Sequence, residues 1–375
     1  MRPIVQIGGL SLAANDRILE VEVTDEEGLK SDSLNITLDD RDQAIALPQE
    51  GARLTCSLGY VETGLVFKGV YTVDEIRAKA PPREIRISAK SADMQGKLKH
   101  KHHKGYENKT VGEVIKEVAG RHKLIPAVSS ALANFKLDFL ANTNESDLNL
   151  LTRLADEVDA NFNIKNGRLI FSDRGSGLSI SGLAMTPVLV LGPSGGNIAN
   201  FGSIPGNVLD YDCQIVTRPR HGKGRKRGWD KDKASEYQEE IDSVTGDPKY
   251  TRPHQSFNPD RARREATRAA RSQKRSRGQL QLTVVGDPHI VAESPLVVQF
   301  LRAGVDGVWR VKSVKHRWHG GQIAQSEIDC EKPNTDSKAS VKNSQGQETV
   351  KSVTGDPDFT RPQFQNPNDN DPGVN

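Results

Sequence analysis

At 375 residues with a formal net charge of +3, the chain is long enough for about two or three domains and carries no global field to hold a polyanion. Its hydrophobic content of 35% and aromatic content of 5% suit several thin layers better than one large core. No apolar run approaches the ~20 residues of a membrane span, and no signal-type leader or metal-type cysteine spacing occurs. The expectation is a protein made in a cytoplasm without a membrane anchor, with Cys56, Cys213 and Cys330 as buried free thiols.

Residues 1–96 predict strands joined by turns. Leu19, Val21 and Val23 alternate with polar residues, as do Leu34, Ile36 and Leu38, and then Leu54, Cys56, Leu58 and Tyr60. Residues 65–73 and 85–89 supply two more strands. One apolar row per strand implies one buried face each, in a sandwich or barrel. The pattern changes at 97–182. A Lys/His run at 97–104 reads as a solvated basic loop rather than a metal site. Thr110 and Glu113 form a capping box ahead of a helical stripe of Val111, Val114, Ile115 and Val118. A strand with Phe135, Leu137 and Phe139 follows. A second helix opens near Asn144, and an Asn166-Gly167 turn makes a hairpin. This stretch predicts a small α+β module inserted between two β sets.

Residues 183–332 return to β character. Within them, 218–232 reads as a solvated basic loop. Asn258, Pro259 and Asp260 then cap a basic helix over 259–277, whose arginines include Arg264, Arg268 and Arg271. Alternating strands follow, with a long one from Trp309 to Trp318. Residues 333–375 are polar and predict a flexible tail. The tail repeats an earlier segment: SVTGDPKYTRP at 243–253 returns as SVTGDPDFTRP at 352–362. If both copies dock as extended peptides, Tyr250 and Phe359 are the matched anchors.

Phosphate-loop, dinucleotide, zinc-protease and nucleophile-elbow sequences are absent from the chain. No catalytic, cofactor or metal residue is singled out. The arginine helix leaves two readings open: a nucleic-acid-binding regulator, or a helix contacting protein. The capped helix after Thr110 also resembles a LysM-like unit, which keeps a cell-wall-binding or cell-wall-degrading role open.

Three stretches carry a family resemblance. They are LVFKGVYTVD at 65–74; NTNESDLNLLTRLA at 142–155 with KNGRLIF at 165–171; and the basic helix followed by GDP at 286–288, GVWRVKSVKH at 307–316 and GG at 320–321. In order and spacing the chain resembles the late control protein D family of contractile-tailed phages over residues 1–332. These baseplate hubs are similar to the Mu-type hub, the R-type pyocin hub and the N-terminal region of VgrG. The resemblance implies a non-enzymatic virion protein of the tail baseplate, mainly β, with two tail-tube-like β-barrels (1–96 and 183–332). It implies a homotrimer joining the six-fold tail tube protein to the trimeric spike protein, with tape measure and other baseplate proteins nearby. DNA passes only as cargo. On this reading Arg264, Arg268 and Arg271 contact a neighbouring subunit or line the lumen.

Overall fold

The computed structural model describes residues 1–11, 15–28, 31–49, 51–91, 97–165, 167–193, 196–198, 202–216, 223–230, 235–242, 249–251, 268–269, 271–272, 274–319, 323–333, 341–342 and 348–349. The chain is mainly β. The first set comprises β1 (Pro3–Gly8), β2 (Ile18–Glu26), β3 (Ser33–Asp39), β4 (Arg53–Tyr60), β5 (Gly64–Lys79) and β6 (Glu84–Lys90). The module follows as β7 (Lys101–Thr110), α1 (Val111–Arg121), β8 (Ile125–Val128), α2 (Ser130–Ala133), β9 (Lys136–Ser146), α3 (Asp147–Val158), β10 (Ala160–Lys165) and β11 (Arg168–Asp173). Next come β12 (Val188–Leu191), a short hairpin of β13 (Gly196–Ile198) and β14 (Gly202–Ile204), and β15 (Val208–Ile215). A separate small sheet holds β16 (Lys223–Asp230), β17 (Ser235–Asp242) and β18 (Lys249–Thr251). The chain returns with β19 (Gly278–Val285), β20 (Pro295–Gln299), β21 (Gly307–His319) and β22 (Gln325–Glu331). In the tail, Val341–Lys342 pairs with Glu348–Thr349.

Two of these assignments correct the sequence reading. The Lys/His run is not a loop: Lys101–Thr110 is a strand paired with β9. Nor is the basic stretch near 223–230, which pairs antiparallel with β17 and places Arg225 opposite Glu240 and Lys226 opposite Glu239.

The two β sets are built to one plan. The first runs β1-β4-β5-β6-β3-β2. The second runs β12-β20-β21-β22-β19-β15, with β12 joined through β20. Counted in chain order, both read first-fourth-fifth-sixth-third-second. Register agrees in detail. A bulge falls between Val73 and Glu75 where β5 meets β6, and between Val311 and Ser313 where β21 meets β22. Another falls between Ile18 and Glu20 in β2, and between Val208 and Asp210 in β15. Gly69 and Gly307 hold the same place with φ of 152° and 132°, which a side chain rarely adopts. Two residues later, Tyr71 and Trp309 are equivalent and fully buried. The sets differ at the first strand: β1 pairs antiparallel with β4, whereas β12 pairs parallel with β20.

Three hydrophobic cores result. One lies in the α+β module, one under the first β set, and one under the second. In the module, Thr110 and Glu113 complete the capping box and α1 buries Val111, Val114, Ile115 and Val118. The helix α3 starts at Asp147, capped by Ser146, slightly later than the sequence pattern implies. The two β sets share one 12-stranded sheet, because β2 pairs with β21. The described strand path runs from β1 to β15, and these ends do not pair with each other.

Candidate functional site

Strand β21 belongs to both β sets. Its first residues, Gly307–Arg310, pair with β20, and Ser313–His319 pair on the same side with β2. β22 covers the other side. On the core face, Trp318 packs into the first set and donates its indole N–H to Gly59 O at 3.2 Å. On the opposite face Glu22 meets Arg317 at 3.2 Å and Lys315 at 3.5 Å, and Glu20 meets His319 at 3.5 Å.

His316 lies in the middle of this seam, fully buried. His316 and His319, which flank Trp318, read from sequence as strand and turn residues at an edge, and for His316 the structure corrects that. The Asp287 amide donates to Ser326 Oγ at 3.1 Å, which leaves the Ser326 hydroxyl to donate to His316 Nδ1 at 2.8 Å. The Nε2–H is then directed at Ile290 O, 3.0 Å away. Burial, with the Lys68 ammonium adding to it, pushes the imidazole down to about 3, so the ring stays neutral. Lys68 donates to Pro288 O at 3.0 Å and Ile290 O at 3.3 Å, and Tyr60 Oη donates to Gly286 O at 2.6 Å. The Gly286-Asp287-Pro288 turn is thereby fastened to the first β set.

The α+β module is tied to both sets by charge. Lys165, at the end of β10, reaches Asp25 at 2.6 Å and Asp32 at 3.0 Å. Burial raises the Asp25 carboxyl, but the Lys165 charge and hydrogen bond and the Ala292 amide at 2.9 Å outweigh it and hold it below its usual value. Burial and the Asp25 charge push Asp32 the other way, up to about 6, against the pull of Lys165. Arg275 grips Asp159 through two bonds of 2.8 and 3.1 Å and lies 3.6 Å from Glu331. Arg310, also buried, bridges Glu27 and Glu331.

The sequence-singled arginines fall partly here. Arg268, Ala269, Arg271, Ser272, Lys274 and Arg275 are helical. Arg268 lies 3.4 Å from Asp156, and Arg271 lies 3.2 Å from Asp173 and 3.9 Å from Asp159. These partners are all in the α+β module. Arg264 and Phe359 lie outside the described residues, as does most of the repeat. Tyr250 falls in β18. Cys56 and Cys330 are buried, and burial raises the Cys56 thiol to about 12. Cys213 differs from the expectation: it sits on β15 only partly buried.

The family resemblance implies two like barrels, but the residue-level repeat behind them went unread, although its signal is in the sequence. Residues 69–79 read GVYTVDEIRAK and 307–317 read GVWRVKSVKHR. Glycine, valine, an aromatic and a second valine recur at identical spacing, and the structure superposes their strand roles.

Fold and seam together define a structural class: a duplicated β unit interrupted by an α+β module, held by buried ion pairs. The chain belongs to the phage tail baseplate hub (GPD) family, whose model matches residues 26–322. It is 38% identical over 168 residues to a probable baseplate hub protein of Escherichia phage 186, covering 45% of this chain and 43% of that protein. Against a probable baseplate hub protein of Escherichia phage P2, identity is 35% over 176 residues, covering 47% and 46%. The chain thus spans just under half the length of the curated relatives it matches. The fold is similar to that of the 43 kDa tail protein of prophage MuSo2 from Shewanella oneidensis, with a TM-score of 0.64, 14% identity, and coverage of 89% of this chain and 98% of that one.

Proposed function

We propose that the protein is a non-enzymatic baseplate hub that assembles as a homotrimer between a six-fold tail tube protein and a trimeric spike protein. The observation that carries this reading is the shared strand order of the two β sets. Three chains with two like units each offer six similar units to a six-fold tube, while the chains keep the three-fold symmetry a trimeric spike needs. Each set then serves as a tube-like barrel domain, 1–96 and 183–332, with 97–182 as the inserted module and 333–375 as the tail. The buried ion pairs at the seam keep the two units of one chain at a set angle, which symmetry matching requires. In this arrangement DNA crosses the lumen as cargo, and tape measure and other baseplate proteins are neighbours. The protein resides in the tail baseplate of the virion after synthesis in the host cytoplasm.

Arg264, Arg268 and Arg271, with Tyr250 and Phe359, remain proposed contacts to neighbouring subunits or partners. The pairing of Arg268 and Arg271 with Asp156, Asp173 and Asp159 supports a protein-facing role over a phosphate-reading one, since those charges are already balanced. Sedimentation and negative-stain microscopy of the full chain, alone and with its tube and spike partners, test the reading. A three-fold ring with six lobes stacked on the tube is expected. A monomer that ignores both partners and binds DNA overturns it.

A further inference from the structure

Within one chain, the second strand of the first unit, β2, pairs with the far half of the fifth strand of the second unit, β21. The duplication leaves the reciprocal pair of edges open. In the first unit β4 pairs with β5 only as far as Thr72. On that side Val73 is bonded to Gly51 and Ala52, as its equivalent Val311 is bonded to Glu293 and Ser294, and then the likeness stops. Past Val311, β21 is covered by β2. Past Val73, β5 runs on through Lys79 with β6 on its other side and, among the described residues, no strand on this one. The consequence shows in exposure: Val314 and His316 are buried, while their equivalents Ile76 and Ala78 are half-buried and exposed. In the second unit, β15 ends the described sheet. Its Tyr211 and Cys213 are half-buried where the equivalent Val21 and Val23 are fully buried. Leu209, Ile215 and Val216 stand exposed along it.

We infer that these two edges are partners: residues 75–81, the far half of β5 and the turn after it, receive β15 and its extension of a second copy of this chain, antiparallel, in the register of β2 on β21. This rests on the trimeric hub reading and specifies how its subunits join. Transferring the register places Asp212 opposite Lys79, Cys213 opposite Ala78, Gln214 opposite Arg77, Ile215 opposite Ile76 and Val216 opposite Glu75. The chemistry is complementary at each step that matters. Asp212 and Lys79 replace Glu22 and Arg317, and Arg77 takes the place of Lys315, which also reaches Glu22. The apolar side, Cys213 with Ala78 and Ile215 with Ile76, continues the core face. Repeating an internal junction between chains is a head-to-tail contact, which closes into a ring when the rotation is right. In each chain the far half of β5 and the β15 edge are thereby both covered, which removes two open strand edges at once.

Directly opposed residues in an antiparallel pair bring their Cβ atoms within about 4.5–5.5 Å, close to disulfide range. Ala78→Cys adds one thiol opposite the native Cys213 of the next copy. On the full-length protein, mild oxidation or a short bis-maleimide should then yield a non-reducing ladder ending at three chains. Ala78→Cys with Cys213→Ser, and Val61→Cys on an exposed turn away from the edge, should yield none. Independently, Asp212→Lys or Lys79→Asp should weaken assembly at least tenfold in sedimentation, and the two together should restore it. A trimer that forms but crosslinks no better through Ala78→Cys than through Val61→Cys overturns the edge pairing and leaves the hub reading intact. A chain that stays monomeric with its tube and spike partners overturns both.

Discussion

Replacing Lys165 by Met isolates what the buried charges at the seam contribute. The ammonium lies 2.6 Å from Asp25 and 3.0 Å from Asp32, whose side chains are 13% and 9% exposed, and is itself 27% exposed. Removing one partner of a buried pair costs about 3–5 kcal/mol, because the other charge is left unpaired. Partial screening at Lys165 brings the expected cost to about 2–3 kcal/mol at pH 8. The loss is pH-dependent. Asp32 already titrates near 6 beside Lys165, and without that cation it protonates more readily. The folded variant then holds an extra proton over the unfolded chain from about pH 4 to above 6, so its stability falls as pH rises through that window. Urea unfolding of wild type and Lys165→Met should therefore show a larger gap at pH 8 than at pH 5, and hydrogen exchange should rise at β10 and β11. Adding Asp32→Asn should recover part of the loss at pH 8. A gap below about 0.5 kcal/mol, or one independent of pH, refutes the view that charge docks the module.

Trp318→Ala should destabilise by about 3–5 kcal/mol, since a fully buried indole and its bond to Gly59 are lost together; thermal unfolding checks this. Asp32→Asn alone removes a group raised to about 6. Its gain relative to wild type should be small near pH 4 and grow to about 1–3 kcal/mol by pH 7, read from paired denaturation curves. His316 works in the opposite sense: held neutral down to about 3, it favours the fold fully above the unfolded value near 6.5 and loses that contribution as pH falls. His316→Asn should flatten the acid limb of the stability profile while lowering stability at pH 7. Thr110→Ala should cost about 1 kcal/mol and loosen the start of α1 in hydrogen exchange.

Local chemistry made much of the fold readable. The capping box at Thr110, the Asn166-Gly167 turn signal, and the alternation in β2, β3 and β19 each depend on neighbours in sequence. Strand pairing does not. His316 is buried because β2, far away in the chain, lies against it, and nothing between 310 and 320 announces that. The basic run at 223–230 has the composition of a solvated loop, and only its pairing with β17 shows it to be a strand. The duplicated strand plan was legible as a motif, but β5 and β21 diverge where one is covered and the other open. That divergence hid the repeat and marks the place where the two units differ in surroundings. Arg271 reads from sequence as a contact to a partner because its acidic neighbours, Asp159 and Asp173, belong to another module.

The strand that both units share also sets a timetable for synthesis. The core of the first unit includes Trp318 and Ala324, so it lacks a wall until the far end of β21 has been made. After Lys90, where β6 ends, 228 more residues must be added before Trp318 is in place. At ribosomal rates of about 5–20 residues per second, that is roughly 10–45 s in which a nascent β sheet carries the uncovered edge of β2. Truncated products stopping inside that interval should be sticky rather than merely short, and a cell making this protein has reason to shield the nascent chain until its last strands arrive.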